Sequence, residues 1–197
     1  MSLMKNLKLI FLVLLFSCIN VETLNMSDNT EKAYFGGGCF WCMEPPFEVL
    51  DGVLEATSGY MGGETENPTY EQVCTGLTGH TETVRVFYNP SLVDYNILLK
   101  TFWESHNPTQ GMRQGNDIGT QYRSAIFTHS SKQKTLADES LKVFNLQLKE
   151  NGFSDITTDI TQGNDFFYAE DYHQQYLSKN PNGYCGLGGT GISYPQG

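Results

Sequence analysis

The sequence predicts an α+β fold in a single domain, with helices packed on one mixed or antiparallel sheet. The chain has 197 residues, of which 39% are hydrophobic and 17% are charged, as in one globular domain. From residue 33 onward, short strand-like runs are interspersed with helical patterns, which favours this architecture. No internal repeat, low-complexity tract or second linker divides this part of the sequence. We therefore expect one domain over residues 33–197.

The net charge excludes two broad classes of ligand. Twelve Lys and Arg residues stand against 22 Asp and Glu residues, which gives a formal charge of −10 at pH 7. Nucleic-acid backbones and anionic lipid headgroups are also negative, so a protein of this charge repels them. Neither is expected as a main ligand, and no nucleic-acid partner is predicted.

The N-terminal segment, residues 1–17, has the features of a signal peptide. Lys5 and Lys8 come first, and the eight residues Leu9–Phe16 are all apolar. As a helix, such a run spans about 12 Å, whereas the hydrocarbon core of a membrane is about 30 Å thick. The segment therefore indicates export rather than a membrane span.

Cys18 ends the sequence Leu15-Phe16-Ser17-Cys18, which resembles a bacterial lipobox. In a lipobox the cysteine is acylated and becomes the first residue of the mature chain; the alternative is an ordinary signal peptide cleaved elsewhere. Cleavage before Cys18 removes 17 residues and two lysines, leaving 180 residues with a net charge of −12. Residues 18–32 are polar and aperiodic, as in a tether. We expect an exported lipoprotein, anchored to a membrane in the cell envelope or periplasm.

Five short runs in the remaining sequence predict strands, because they alternate in polarity or are rich in β-branched residues. They are Ala33–Gly36, Val53–Tyr60, Thr83–Tyr88, Ser124–Thr128 and Ile156–Thr161.

Two longer segments predict helices, each beginning at a residue that can cap a helix N-terminus. Asp94 precedes a helix whose apolar face comprises Leu98, Leu99, Phe102 and Trp103. Ser130 or Ser131 precedes one whose apolar face comprises Leu136, Leu141, Phe144 and Leu148.

The last 18 residues, from Asn180, contain six glycines and two prolines. Such a composition is incompatible with a regular element, so we expect a mobile glycine-rich C-terminal arm over the surface. A frayed terminus does not explain why this arm carries Tyr184 and Cys185.

Cys39 lies where the first predicted strand turns into a helix, directly after three glycines, residues 36–38. Glycines permit positive φ angles and close approach of a ligand, and the free N–H groups of a helix N-terminus stabilise an anion. We therefore expect a lowered pKa and a nucleophilic thiol at Cys39. Pro45 and Pro46 have no N–H to donate, and we expect them to divide this turn from a later helix.

Cys39 and Cys42 form a C-x-x-C pair that admits four interpretations. A zinc site needs four ligands, but Cys74 and Cys185 are isolated and the four histidines are scattered. A thioredoxin-like exchange site fits the spacing, although two adjacent aromatic residues inside the motif would crowd a protein disulfide. In a third interpretation, both cysteines are buried in the core as small hydrophobic residues and have no chemical role. The favoured interpretation is a nucleophile beside an apolar pocket.

Five blocks of this sequence resemble, in order, the peptide-methionine (S)-S-oxide reductase family, also called methionine sulfoxide reductase A. The first block, Gly38-Cys39-Phe40-Trp41, looks like the active-site signature of that family. The other four are Tyr70–Gly76, Gly79–Glu82, Gln114–Ser124 and Gly183–Gly186. The resemblance extends from about residue 33 to the C-terminus.

The resemblance implies a ferredoxin-like α/β roll and an enzyme that repairs oxidised proteins. The implied reaction is thiol-dependent reduction of the S epimer of methionine sulfoxide, free or in proteins, to methionine. It implies no metal and no cofactor, but an external dithiol reductant of the thioredoxin type. The partners are then oxidised proteins or peptides and that reductant, and the enzyme is expected to be a monomer.

The resemblance also implies roles for individual residues. Cys39 would attack the sulfoxide sulfur and become a sulfenic acid. Glu82 would protonate the sulfoxide oxygen, which requires a pKa raised by partial burial. Tyr70 and Tyr122 would donate hydrogen bonds from their hydroxyl groups to the sulfoxide oxygen, and Asp117 would act through a water molecule. Phe40 and Trp41 would form an apolar wall for the substrate methyl group.

A second thiol must regenerate Cys39, and two cysteines are candidates. Cys185 matches the family's resolving position and is favoured, because a glycine-rich arm can swing in after methionine departs. Cys42 is the alternative, since one helical turn separates it from Cys39. Some relatives carry a further cysteine where Ser193 stands, so we expect no second internal relay. Cys74 matches a position that we interpret as structural.

Two other function classes fit an exported protein with these cysteines: a thiol–disulfide oxidoreductase and a non-catalytic binding lipoprotein of the envelope. Turnover of a sulfoxide distinguishes the proposed reductase from both of them.

Overall fold

The structure is a computed structural model that describes residues 29–195, and its centre is a six-stranded sheet. The strands are β1 (Glu31–Gly37), β2 (Val53–Met61), β3 (Thr81–Tyr88), β4 (Arg113–Gln114), β5 (Asp117–Ile118), β6 (Ser124–Thr128), β7 (Asp159–Gln162) and β8 (Phe167–Tyr168). The helices are α1 (Phe40–Glu48), α2 (Tyr70–Cys74), α3 (Tyr95–Ser105), α4 (Ser131–Glu150) and α5 (Tyr176–Lys179), with a 3-10 turn at Thr120–Tyr122.

The strand order of the sheet is β7-β6-β1-β3-β2-β8, while β4 and β5 form a separate ribbon. Neighbouring strands are antiparallel except β6 and β7, which are parallel. The central strands β6-β1-β3-β2, with α1 after β1 and α3 after β3, have the split βαβ arrangement of ferredoxin-like folds. The predictions of an α+β class and a mixed sheet are confirmed.

All five predicted runs contain strands, and three of these strands, β1, β3 and β7, begin two or three residues away from the predicted start. The strand predicted at Ile156 begins at Asp159. Strand β1 begins at Glu31, inside the predicted tether, because Glu31 pairs with Tyr88 and its carboxylate accepts a 2.7 Å hydrogen bond from the Tyr88 hydroxyl. Strands β4, β5 and β8 were not predicted, since two residues are too few to show a periodicity.

Both predicted helix caps are present. The Asp94 carboxylate accepts a hydrogen bond from the Asn96 N–H at 2.7 Å, and the Ser130 hydroxyl accepts one from the Gln133 N–H at 3.1 Å. Ser130 is therefore the cap of α4, and Ser131 is the first residue of the helix. The predicted apolar faces of α3 and α4 pack into the core.

The core is rich in aromatic side chains that lie between the sheet and the helices. Phe35 of β1 stacks on Phe47 of α1 and Phe102 of α3, with ring centroids 5.0 and 5.3 Å apart. Alternate residues of β1 point to the other face of the sheet, where Tyr34 contacts the Phe166 ring. Strand β1 is thus buried on both faces, which holds its C-terminal end, and Cys39 beyond it, in place.

The C-terminal arm has no helix or strand over residues 181–195, as its composition predicts. Leu187, Ile192 and Tyr194 pack against the core, and the Tyr194 N–H donates to the Glu104 carboxylate at 2.8 Å. The apolar side chains between the glycines anchor a segment that its composition alone suggests is mobile.

The predicted signal peptide, Cys18 and most of the predicted tether lie outside the described residues. Within residues 29–195, no helix is both long and apolar enough to cross a membrane.

Candidate active site

Cys39 occupies the turn between β1 and α1 and is the N-cap residue of α1. Gly38 before it has a φ of +98°, and a Cβ there would lie 2.7 Å from the Gln114 side chain, so glycine is required. Helix α1 runs through Pro45 and Pro46 to Glu48, and the predicted division at the prolines is wrong. Both prolines have a φ that suits a helix, so α1 loses the two hydrogen bonds of the missing N–H groups but continues.

One small cavity, of about 90 Å³, is lined by all the side chains assigned from the sequence to catalysis and substrate binding, apart from the candidate resolving cysteines. Its lining comprises Cys39, Phe40, Trp41, Tyr70, Glu82, Asp117, Tyr122 and Tyr184. The last of these comes from the C-terminal arm and had no predicted role. A larger groove of about 540 Å³ near Lys32 and His129 contains none of these side chains, so size does not identify the site.

Glu82 is a buried carboxyl group within this cavity. Its side chain is 2% exposed, and its Oε2 accepts a hydrogen bond from the Phe40 N–H at 3.0 Å. Burial raises the pKa of Glu82 to about 8; the nearby Asp117 charge adds to this effect, and the Phe40 N–H opposes it. At neutral pH, Glu82 is therefore mainly protonated and available as an acid.

Cys39 has a raised pKa, which contradicts the lowered value expected from its position at a helix N-terminus. The residue is 7% exposed, and burial followed by the charge of Glu82 raises the pKa of the thiol to about 12. The backbone N–H groups of Trp41 and Cys42 favour the thiolate but do not outweigh these effects. The resting enzyme therefore holds a thiol, and a protonated Glu82 removes one of the two main obstacles to its ionisation.

Tyr70 and Tyr122 provide neutral hydroxyl groups at the cavity. Burial raises the pKa of each well above the ordinary range of tyrosine, so both remain donors at neutral pH. The Tyr70 N–H donates to the Glu170 carboxylate at 2.9 Å, which fixes the start of α2. Asp117, on β5, lies with its Oδ1 3.4 Å from the Tyr184 hydroxyl.

Comparison with known proteins identifies the family of the protein that contains this cavity. The family model described as Peptide methionine sulfoxide reductase matches residues 31–190. This chain belongs to the peptide methionine sulfoxide reductase family. The resemblance inferred from the five sequence blocks is thereby confirmed.

Relatives within the reductase family are similar over most of their length. The mitochondrial peptide methionine sulfoxide reductase of Homo sapiens is 59% identical over 170 residues, covering 86% of this chain and 72% of the relative. The structure of methionine sulfoxide reductase A of Corynebacterium diphtheriae is similar at a TM-score of 0.78 and 43% identity, covering 87% of this chain and 86% of that one. The structure of reduced Mxr1 from Saccharomyces cerevisiae is similar at a TM-score of 0.73 and 35% identity, covering 80% of this chain and 90% of that one.

His173 contacts three residues that line this reductase site, and it was not predicted from the sequence. It is 1% exposed, and its Nδ1 accepts a hydrogen bond from the Trp41 indole N–H at 3.0 Å. Its ring also contacts Phe40 and Tyr70, with centroids 5.0 and 4.6 Å away. Burial lowers the pKa of His173, so it is neutral and can accept this bond. The run of acidic and aromatic residues at 170–173 was the available signal.

The disulfide among the described cysteines of this family member does not include Cys39. Cys42 and Cys185, which were alternative resolvers, form a disulfide with a Cα–Cα distance of 5.5 Å. Cys39 is free and buried, and Cys74 is free and exposed, with a hydrogen bond to the Tyr70 hydroxyl. The identity of the thiol that first resolves Cys39 stays a prediction.

Within residues 29–195, no group of three or more His, Cys, Asp or Glu side chains is arranged to hold a metal ion.

Proposed function

We propose that this chain catalyses the thiol-dependent reduction of the S epimer of methionine sulfoxide, free or in proteins, to methionine. The observation that carries the proposal is the shared cavity of Cys39 and Glu82, walled by Phe40 and Trp41. A soft nucleophile for sulfur and an acid for oxygen are what this reduction requires. Membership of the reductase family supports the same reaction.

The substrate is oriented by its methyl group and its oxygen. Phe40 and Trp41 form the apolar wall for the methyl group, and a pocket of this kind discriminates by about 1–3 kcal/mol. Protonated Glu82 donates to the sulfoxide oxygen, while the hydroxyls of Tyr70 and Tyr122 donate hydrogen bonds as charge builds on it. Asp117 acts through a bound water molecule.

Cys39 performs the redox step. Its sulfur attacks the sulfoxide sulfur, and the sulfur–oxygen bond of the substrate breaks. The oxygen then bonds to the Cys39 sulfur as a sulfenic acid, while the bond between the two sulfurs breaks and methionine leaves. The substrate sulfur gains two electrons and the Cys39 sulfur loses two. Glu82 gives its proton to the oxygen and is reprotonated by the proton of the Cys39 thiol. A second thiol, from Cys185 or Cys42, then condenses with the sulfenic acid to give a disulfide and water.

An external dithiol must reduce that disulfide before the next cycle. Thiol–disulfide exchange transfers the two electrons without a metal or prosthetic group, and a thioredoxin-like protein has a suitable potential, about −270 mV. Mxr1, to which this chain is similar, has also been solved in complex with Trx2. We propose a reductant of this type.

An assay on a single pair of epimers tests the proposed activity. With dithiothreitol, the protein should reduce the S epimer of a methyl aryl sulfoxide and leave the R epimer, measured by chiral chromatography. The R epimer is the matched control, because it has the same reactivity and differs in shape alone. Reduction of insulin without turnover of either sulfoxide would contradict the proposal and favour a thiol–disulfide oxidoreductase.

We propose further that the protein is exported and held at a membrane by a lipid on Cys18. The support is the sequence of residues 1–18, with two lysines, an apolar run and a lipobox-like end. A multiply acylated N-terminus anchors stably, whereas one short chain binds marginally. The reductase domain would then act on oxidised proteins of the cell envelope.

Changing Cys18→Ser should release the protein from the membrane fraction into the soluble envelope fraction, since serine cannot accept the thioether-linked lipid. Fractionation followed by immunoblotting measures the distribution. Cys74→Ser, at an exposed cysteine of the folded domain, should leave it unchanged. Membrane retention of the Cys18→Ser protein equal to that of the parent would refute the lipid anchor.

A further inference from the structure

Three sulfur atoms surround the N-terminal turn of α1. Cys39 caps the helix, and its carbonyl accepts the Cys42 N–H at 3.1 Å, so the two residues share one turn. Residues three apart in a helical turn have Cα atoms about 5 Å apart, which is within the Cα–Cα range of disulfides. Cys185 is bonded to Cys42. Exchange among the three thiols therefore requires no large movement of the helix.

The arm is held against the loop that carries Cys39 on both sides of Cys185. Tyr184, before it, lines the same cavity as Cys39. Leu187, two residues after it, lies beside Gly38, where an added Cβ would come within 3.0 Å of its Cδ2. The position of Cys185, which is bonded to Cys42 and lies between these two arm residues, is therefore part of the packing of the arm.

Access from solvent differs sharply among the three cysteines. Cys39 and Cys42 are 7% and 6% exposed, whereas Cys185 is exposed. A reducing protein must bring its own thiolate into contact with a disulfide sulfur, so it can attack at Cys185 but not at buried Cys39. A disulfide that includes Cys185 and excludes Cys39 leaves the nucleophile free.

We propose an internal relay of three thiols, in which Cys185 first forms a disulfide with Cys39 and Cys42 then displaces Cys39 from it. The final oxidised form of the enzyme is therefore the Cys42–Cys185 disulfide. This inference rests on the proposed sulfoxide reductase function. It replaces the expectation that Ser193 rules out a second relay step, because Cys42 supplies the thiol from α1 instead of from the arm.

The relay has two steps after the sulfenic acid forms. The Cys185 thiolate attacks the sulfenic sulfur of Cys39, which gives the Cys39–Cys185 disulfide and releases the oxygen as water. The Cys42 thiolate then attacks the Cys185 sulfur, and Cys39 leaves as a thiolate that takes up the proton lost from Cys42. The external dithiol finally attacks Cys185 and expels Cys42.

The relay predicts how many substrate molecules each reduced enzyme can consume without a reductant. The first turnover ends at Cys42–Cys185 with Cys39 regenerated, and the second ends at a Cys39 sulfenic acid. Pre-reduced enzyme, freed of dithiothreitol, should therefore yield about two methionines per protein. Cys42→Ser should halve this to about one, and the parent with its Cys42–Cys185 disulfide intact should also yield about one.

Rapid quench with excess S sulfoxide, followed by amino-acid analysis, counts the methionine. Peptide mapping after one equivalent of substrate and alkylation identifies the disulfide: Cys42–Cys185 in the parent, and Cys39–Cys185 in the Cys42→Ser variant. Cys74→Ser is the matched control and should retain the parent stoichiometry. One methionine per parent enzyme, with a persistent Cys39–Cys185 or Cys39–Cys42 bond, would overturn the relay while leaving the reductase function intact. No methionine at all would overturn the function itself.

Discussion

The Cys39→Ser protein should produce no methionine from methionine sulfoxide above background, with or without dithiothreitol. The oxygen that leaves the substrate must end on the Cys39 sulfur, and a serine oxygen cannot accept it as sulfur does. A hydroxyl is also a far weaker nucleophile than a thiol. Serine has nearly the same size and is a good N-cap residue, so α1 should form as before.

Three measurements make this result specific. The Cys39→Ser protein should retain the circular dichroism spectrum and thermal unfolding temperature of the parent. Oxidised glutathione should still convert Cys42 and Cys185 to their disulfide, which does not include the changed residue. Cys74→Ser, which removes the other free thiol of the described chain, should keep its activity. Sulfoxide turnover by the Cys39→Ser protein would assign the nucleophile to another cysteine.

The Glu82→Gln protein should reduce the sulfoxide about 10²–10⁴ times more slowly at pH 7, the usual contribution of a positioned general acid. Glutamine can still accept the Phe40 N–H, so the site keeps its shape but lacks a transferable proton. Stopped-flow or quench measurement of the first turnover isolates this step. Cys39 should remain open to alkylation in the variant.

The pH dependence separates loss of the acid from a structural effect. Glu82 has a pKa of about 8, so the parent should lose activity as the pH rises through this value and the acid loses its proton. The Glu82→Gln protein should lack this decline. Glu44 is the matched control, because it is also buried, with a pKa of about 7, but lies outside the cavity. Glu44→Gln should keep both the rate and the alkaline decline.

Stability gives an independent check on the same carboxyl group. The pKa of Glu82 is higher in the folded protein than in the unfolded chain, so the unfolded chain binds fewer protons between these two values. Its contribution to folding stability is therefore lost as the pH rises from about 4.3 towards 8. The Glu82→Gln protein should show a smaller fall in unfolding temperature over this range. An identical fall in parent and variant would mean that Glu82 is ionised in the folded state.

The sequence by itself determined the five longer strands, the two long helices and most members of the site. The helix caps Asp94 and Ser130, and the five runs that contain strands, depend on nearby residues, so local patterns were sufficient. The cavity residues were identified because each lies in a short block that resembles the family. Neither kind of inference needs the distance between remote parts of the chain.

The tertiary structure alone decided the protonation states and the pairing of the thiols. Whether Cys39 is a thiol or a thiolate depends on burial and on Glu82, whose carboxylate lies in a strand beyond the reach of any local pattern. The contact of His173 with Trp41 joins residues 132 apart, and the Cys42–Cys185 disulfide joins residues 143 apart. Desolvation and proximity arise when distant segments pack together, and a composition of glycines and prolines does not reveal where the arm docks. The sequence therefore identified the reacting groups, whereas the fold determined their protonation states and which cysteines form a disulfide.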